Sequence, residues 1–108
     1  MKSINKIILI GHVGAKPEGR YTPKGVSTAS FSLATNELWY DSEKNKHEHT
    51  EWHTIIAFNK IADYTTQHIT KGSLVYVEGS IRSRLWKNNQ QIEKKVTEII
   101  ATDVVLLK

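Results

Sequence analysis

Lys71-Gly72-Ser73-Leu74-Val75-Tyr76-Val77-Glu78-Gly79-Ser80-Ile81-Arg82-Ser83-Arg84-Leu85-Trp86-Lys87 is the stretch whose reading decides the fold. Read as a strand, its successive side chains alternate between two faces. Val75, Val77, Gly79, Ile81 and Leu85 make a core face. Tyr76, Glu78, Ser80, Arg82, Arg84 and Trp86 make the other. That second face sets guanidinium groups beside large aromatic rings on a surface that water should reach. Unpaired nucleic acid fits such a surface, because flat rings stack bases and arginines meet phosphates.

Upstream, residues 59–70 read as a helix. Asn59 is expected as the N-cap, Asp63 in the first turn and Gly72 just past the end. Ile61, Thr65, His68 and Ile69 recur at helical spacing and predict one buried stripe. Before it, residues 51–58 predict a strand with Trp52, Thr54, Ile56 and Phe58 on one face and His53, Ile55 and Ala57 on the other. Residues 41–50 are wholly polar and predict an exposed hairpin loop. Residues 26–39 predict a half-buried strand, with Ala29, Phe31 and Leu33 alternating with Thr28, Ser30 and Ser32. Residues 15–25 hold Pro17, Gly19, Pro23 and Gly25 and predict a loop. Residues 4–14 predict a first strand around the β-branched run Ile7-Ile8-Leu9-Ile10. Downstream, Lys87-Asn88-Asn89-Gln90 predicts a hairpin turn. Residues 91–107 predict a last strand, broken or bulged around Ala101-Thr102-Asp103. The order strand, strand, strand, helix, strand, strand is that of the OB-fold. The expected class is all-β with one helix, a five-stranded Greek-key barrel with its helix between strands 3 and 4. Residues 1–108 are read as one such domain.

Composition bounds the function. The chain has 108 residues, 39% of them hydrophobic, which suits one core. It has no cysteine, so neither disulfides nor thiolate metal sites are available. The apolar run near the start is too short to span a bilayer and no cleavage site follows it, so a soluble, cytoplasmic protein is expected. The net charge of +4 admits an acidic partner without demanding one. No nucleophile-and-base pair and no phosphate-binding glycine loop stands out, so no catalysis and no cofactor are expected. His47, His49, Glu51 and His53 alternate and on a continuous strand would share a face suited to zinc. Two of them fall in the polar loop, and the reading preferred here is that no metal is bound and that His53 is a satisfied polar group at a packed or subunit interface.

Several pieces of the chain carry a resemblance. Asn5-Lys6-Ile7-Ile8-Leu9-Ile10-Gly11, Arg20-Tyr21, Leu33-Ala34-Thr35, Thr50-Glu51-Trp52-His53, Phe58-Asn59-Lys60, Lys71-Gly72-Ser73, Val77-Glu78-Gly79 and Arg82-Ser83-Arg84-Leu85-Trp86 resemble the bacterial single-stranded DNA-binding proteins, collinearly from about residue 4 to about residue 106. The resemblance implies a homotetramer of OB-folds that binds single-stranded DNA in replication, recombination and repair, in the cytoplasm at the nucleoid. It carries base stacking onto Trp39, Trp52, Phe58 and Trp86, and DNA contact onto Lys60, Lys71, Arg82 and Arg84. Arg20, Tyr21 and Tyr76 are added as cationic and aromatic candidates. It places His53 and the first strand, with Ile7 and Leu9, at subunit interfaces. The family's second half, a flexible linker ending in an acidic tip that recruits replication and repair proteins, has no counterpart in these residues. The same fold also serves dimeric primosome accessory proteins, protein-binding modules and RNA binders. The aromatic set and Thr50-Glu51-Trp52-His53 favour the first reading over the primosome one, and DNA is not separated from RNA by the sequence.

Overall fold

Alternating apolar and polar residues give strands that close on themselves. The computed structural model describes residues 2–108. The elements are β1 (Ile7–Val13), β2 (Glu18–Tyr21), β3 (Ser27–Tyr40), β4 (Lys46–Phe58), α1 (Asn59–His68), β5 (Leu74–Lys87) and β6 (Glu93–Leu106). Antiparallel pairs join β1 to β5, β5 to β6, and β4 to β3. A short parallel pair sets Ile55 opposite Ile99 and Ile56 opposite Ile100, joining β4 to β6. His12 opposite Ala34 and Val13 opposite Leu33 return β1 to β3 and close a five-stranded barrel. The helix follows the third of these barrel strands, as expected of an OB-fold.

Inside lie Leu33, Ile55, Val75, Val77, Ile99 and Val104, with Ile7 and Leu9 packed against them. Each comes from the apolar side of an alternating run, which is why one face of every strand is buried. Helix α1 adds Ala62 to this core, and its C-cap residue Ile69 follows it in. Thr65 is also fully buried, and its hydroxyl donates to Ile61 O at 2.8 Å, so no polar atom is stranded there.

Several expectations are corrected. The segment 15–25 is not all loop, because Glu18–Tyr21 pairs with β3 as an added edge strand. Residues 46–50 belong to β4, and the polar loop shrinks to 41–45. Asn59 is not the N-cap. Phe58 holds that position with no side-chain cap, and Asn59 turns the corner with φ of 58°, a region Asn tolerates better than most residues. No acidic residue lies in the first turn of α1, so Asp63 does not serve there, and His68 is exposed rather than part of the buried stripe. Gly72 (φ 88°) turns the chain after the helix, where its N–H donates to Val13 O at 2.8 Å. The expected bulge is present. Glu78 pairs with Asp103 and Gly79 with Ala101, which leaves Thr102 between them unpaired.

Beyond the barrel two hairpins project as arms. The β3–β4 pairing continues to Tyr40 opposite Lys46, and the β5–β6 pairing to Lys87 opposite Glu93. Ile81 and Leu85 therefore leave the core face assigned to them and are exposed on the second arm. These arms help stretch the chain to 56 × 39 × 37 Å. Both end in the same turn. Asp41 Oδ1 accepts from the N–H groups of Glu43 and Asn45, and Asn88 Oδ1 accepts from those of Gln90 and Ile92. In both, the fourth residue takes the left-handed region, Lys44 at φ 66° and Gln91 at φ 61°.

Candidate nucleic-acid interface

Position along the arms, not burial in a cleft, sets out the candidate residues. Trp52 is 58% exposed, Trp39 47% and Trp86 46%, so all three rings reach solvent. Trp52 leaves the outward face of β4, in a row with Thr54, Ile56 and Phe58. Its ring lies against Gly14, where a Cβ would come within 2.5 Å of Cζ3. Gly14 is thus the floor under this indole, and Gly72, bonded to Val13, brings Lys71 to the same end of β1. At the far end of that row, Phe58 pairs with Thr28, which in turn pairs with Arg20, and Lys60 follows at the start of α1. Arg20, Phe58 and Lys60 are so brought together. Tyr21 is exposed next to them, and Arg20 is held 3.3 Å from Glu18.

Trp39 is on the other face of the same ribbon. It pairs with His47 and stacks on it, ring centroids 5.5 Å apart and planes within 15°. His47, His49, Glu51 and His53 share that face, but as separate pairs and not as a cluster. His47 Nε2 is 2.9 Å from Asp41 Oδ2, His49 Nε2 is 2.8 Å from Glu51 Oε2, and His53 Nε2 is 2.9 Å from Thr35 Oγ1. The hydrogen bond from His47 holds the Asp41 carboxyl below the usual carboxylate range, and His49 does the same for Glu51. A strand touching both Trp39 and Trp52 must pass around the arm.

On the second arm Trp86 pairs with Lys94 and Arg84 with Val96. The two arginines are not equivalent. Arg84 Nε donates to Glu98 Oε1 at 2.9 Å, and the Glu98 side chain is only 8% exposed. One edge of this guanidinium is thereby fixed and its other nitrogens are left for solvent or phosphate. Among the described residues Arg82, Lys60 and Lys71 enter no ion pair.

Three expected site residues fall elsewhere. Tyr76 lies ten residues before Trp86 on β5, over the barrel wall, where its hydroxyl donates to Glu78 Oε1 at 2.7 Å. That bond, with Asp103 nearby, raises the Tyr76 pKa, and the carboxylates make the spot unfavourable for phosphate. Ile7 and Leu9 turn inward onto the core. Their neighbours Ile8 and Ile10 are the exposed residues of β1. Along Ile7–Ile10, β1 pairs only with β5 among the described residues, so its second edge is open.

Sequence reasoning missed Gly14, His47 and Glu98. Gly14 was visible only as the last residue of the first predicted strand, Glu98 only as one of many carboxylates. His47 was masked by reading 41–50 as loop; a five-residue turn would have set it opposite Trp39.

The sequence profile of the Single-strand binding protein family matches residues 4–107. The chain belongs to this single-strand binding family. Among curated relatives, Single-stranded DNA-binding protein 1 of Chlorobaculum tepidum is 46% identical over 107 residues, covering 98% of this chain and 66% of that protein. The Single-stranded DNA-binding protein of Neisseria meningitidis is 43% identical over 105 residues, covering 97% of this chain and 60% of that one. The chain thus spans just under two thirds of the length of these relatives. Among solved structures, that of Plasmodium falciparum SSB in complex with ssDNA aligns at TM-score 0.94 and 39% identity, over 100% of this chain and 98% of that one. A deletion mutant of the Thermus aquaticus single-stranded DNA binding protein aligns at 0.85 and 27% identity, over 97% and 51%. The fold of the Plasmodium falciparum protein is thus matched along nearly the whole of both chains.

Proposed function

We propose that the chain binds single-stranded DNA with little regard to sequence, stacking bases on Trp39, Trp52, Phe58 and Trp86. Lys60, Lys71, Arg82 and Arg84 meet the phosphates, with Arg20 and Tyr21 beside Phe58. The observation that carries this reading is the exposure of three tryptophans, Trp39 and Trp86 on the arms and Trp52 on the barrel wall, near cations free of ion pairs among the described residues, in a fold shared along its whole length with a protein solved in complex with ssDNA. We further propose a homotetramer. The open edge of β1 and the exposed Ile8 and Ile10 beside it support subunit contact there, through backbone and outward side chains and not through Ile7 and Leu9. The biological role read from the resemblance is protection and organisation of single strands during replication, recombination and repair, in the cytoplasm at the nucleoid. No helix among the described residues is long and apolar enough to cross a membrane.

The test is tryptophan fluorescence during titration with oligo(dT) at low and high salt, with duplex DNA as control. Stacking predicts quenching by the single strand that persists at high salt. Each phosphate contact adds about −0.7 to the slope of log affinity against log salt. Trp52→Ala and Trp86→Ala each weaken single-strand binding by about 1–3 kcal/mol and barely change duplex binding. Equal losses on both forms, or binding that vanishes with salt, would leave charge as the only attraction.

A further inference from the structure

Trp39 stands at the end of β3, beyond anything the barrel core can support. An exposed indole on a hairpin samples several rotamers, and ordering it on binding opposes association. Here the ring is already held. His47 covers one of its faces in a near-parallel stack. The imidazole is in turn fixed, since its Nε2 lies 2.9 Å from Asp41 Oδ2. Asp41 is itself tied down, for its Oδ1 accepts from the N–H groups of Glu43 and Asn45, both at 2.9 Å. Constraint runs from turn backbone to carboxylate, to imidazole, to indole.

We infer that His47 is a positioning residue that holds the Trp39 indole as a one-sided platform for a single unpaired base. This rests on the reading of the chain as a single-strand binder. One indole face is covered, so one base stacks there and not two. A hydrogen-bonding ring is needed at residue 47 because the bond to Asp41 fixes the ring's rotation as well as its position. The charged groups on its side of the ribbon are Asp41 from the turn, Glu37 on β3, and His49 with Glu51 on β4. Lys46 and Glu48 pair with each other on the opposite side. The protonated imidazole keeps the stack as a cation on the indole face.

Two measurements test this. In a variant carrying Trp52→Phe and Trp86→Phe, Trp39 is the one remaining tryptophan, and an imidazolium in contact quenches indole emission. Lowering the pH until the residue-47 imidazole gains its proton makes emission of the DNA-free protein fall in a step. Adding His47→Gln removes the step. In the chain with all three tryptophans, His47→Gln weakens oligo(dT) binding at pH 7 by about two- to tenfold. His47→Phe keeps a flat ring under the indole but loses the bond to Asp41, so it recovers only part of the affinity and shows no pH step. On a Trp39→Ala background His47→Gln costs nothing further. A pH step that survives His47→Gln, unchanged affinity in that variant, or an equal loss on the Trp39→Ala background would each overturn the inference. Absence of oligo(dT) binding by the unaltered chain would instead overturn the proposed function, and with it the base-holding role. The pH step would then still report whether the stack exists.

Discussion

A hydrogen at Gly14 decides where an indole lies. The Trp52 ring occupies the space that a Cβ would need, and neither β1 nor a rigid ring can yield without moving the platform. Gly14→Ala is expected to displace Trp52 and weaken oligo(dT) binding about fivefold or more, the effect of impairing one stacking site. The melting temperature should change little, because Gly14 lies outside the buried core. A melting loss that accounts for the weaker binding would count against this account. Sequence at this scale was informative where chemistry is rare. Three tryptophans in 108 residues invite attention, and all three proved exposed. It was uninformative where a residue acts through a neighbour across the ribbon, as Gly14, His47 and Glu98 do, because such pairs depend on register.

Elements were legible to the extent that they are half-buried. The alternation of Ala29, Phe31 and Leu33, or of Val75 and Val77, marks a wall with a dry side, and those strands are where expected. The pattern fails on the arms. Residues 46–50 are polar on both sides, so no periodicity announces a strand, yet backbone pairing to β3 extends through them. Likewise Leu85 continues the apolar parity of Val75 into solvent, since the barrel ends before the strand does. Edge strand β2 was hidden by Gly19 and the flanking prolines. Arm tips offer a test of their own. Gln91 adopts a backbone region that costs a side chain roughly 1–2 kcal/mol. Glycine there relieves that cost but is more mobile in the unfolded chain, by about 0.5–1 kcal/mol. Gln91→Gly should therefore raise the melting temperature by a few degrees, and a decrease would show that the side chain contributes more than its backbone strain removes.

At the scale of the molecule, charge and polarity are unevenly spread. Cations and exposed rings gather on the arms, whereas the outer wall of β1 and β5 carries Ile8, Ile10 and a polar network. Tyr76 donates to Glu78, and Lys6 Nζ lies 3.4 Å from the same carboxylate. The Tyr76 bond, aided by Lys6, lowers the Glu78 pKa below its ordinary 4.5. A carboxyl depressed on folding stabilises the fold when ionised. Its contribution is complete above about pH 4.5 and is lost as pH falls through the lower, folded value. Melting temperature should stay level from neutral pH to about 5 and then fall. Glu78→Gln should start lower and fall less steeply below that range. Parallel curves for the two proteins would show that Glu78 does not titrate differently on folding.

The twin turns make each arm an adjustable ruler. Each turn is closed by its own Asp or Asn, independently of the barrel, so paired residues can be added or removed behind it without disturbing the core. Strand geometry makes the graduations unequal in meaning. Two residues per strand move a tip by about 6.6 Å and keep every ring on its side; one residue moves it about 3.3 Å and turns the ring to the opposite side. Reach along a bound strand thus changes in even steps without turning a ring, while an odd step would carry Trp39 and His47 together onto the side of Trp52.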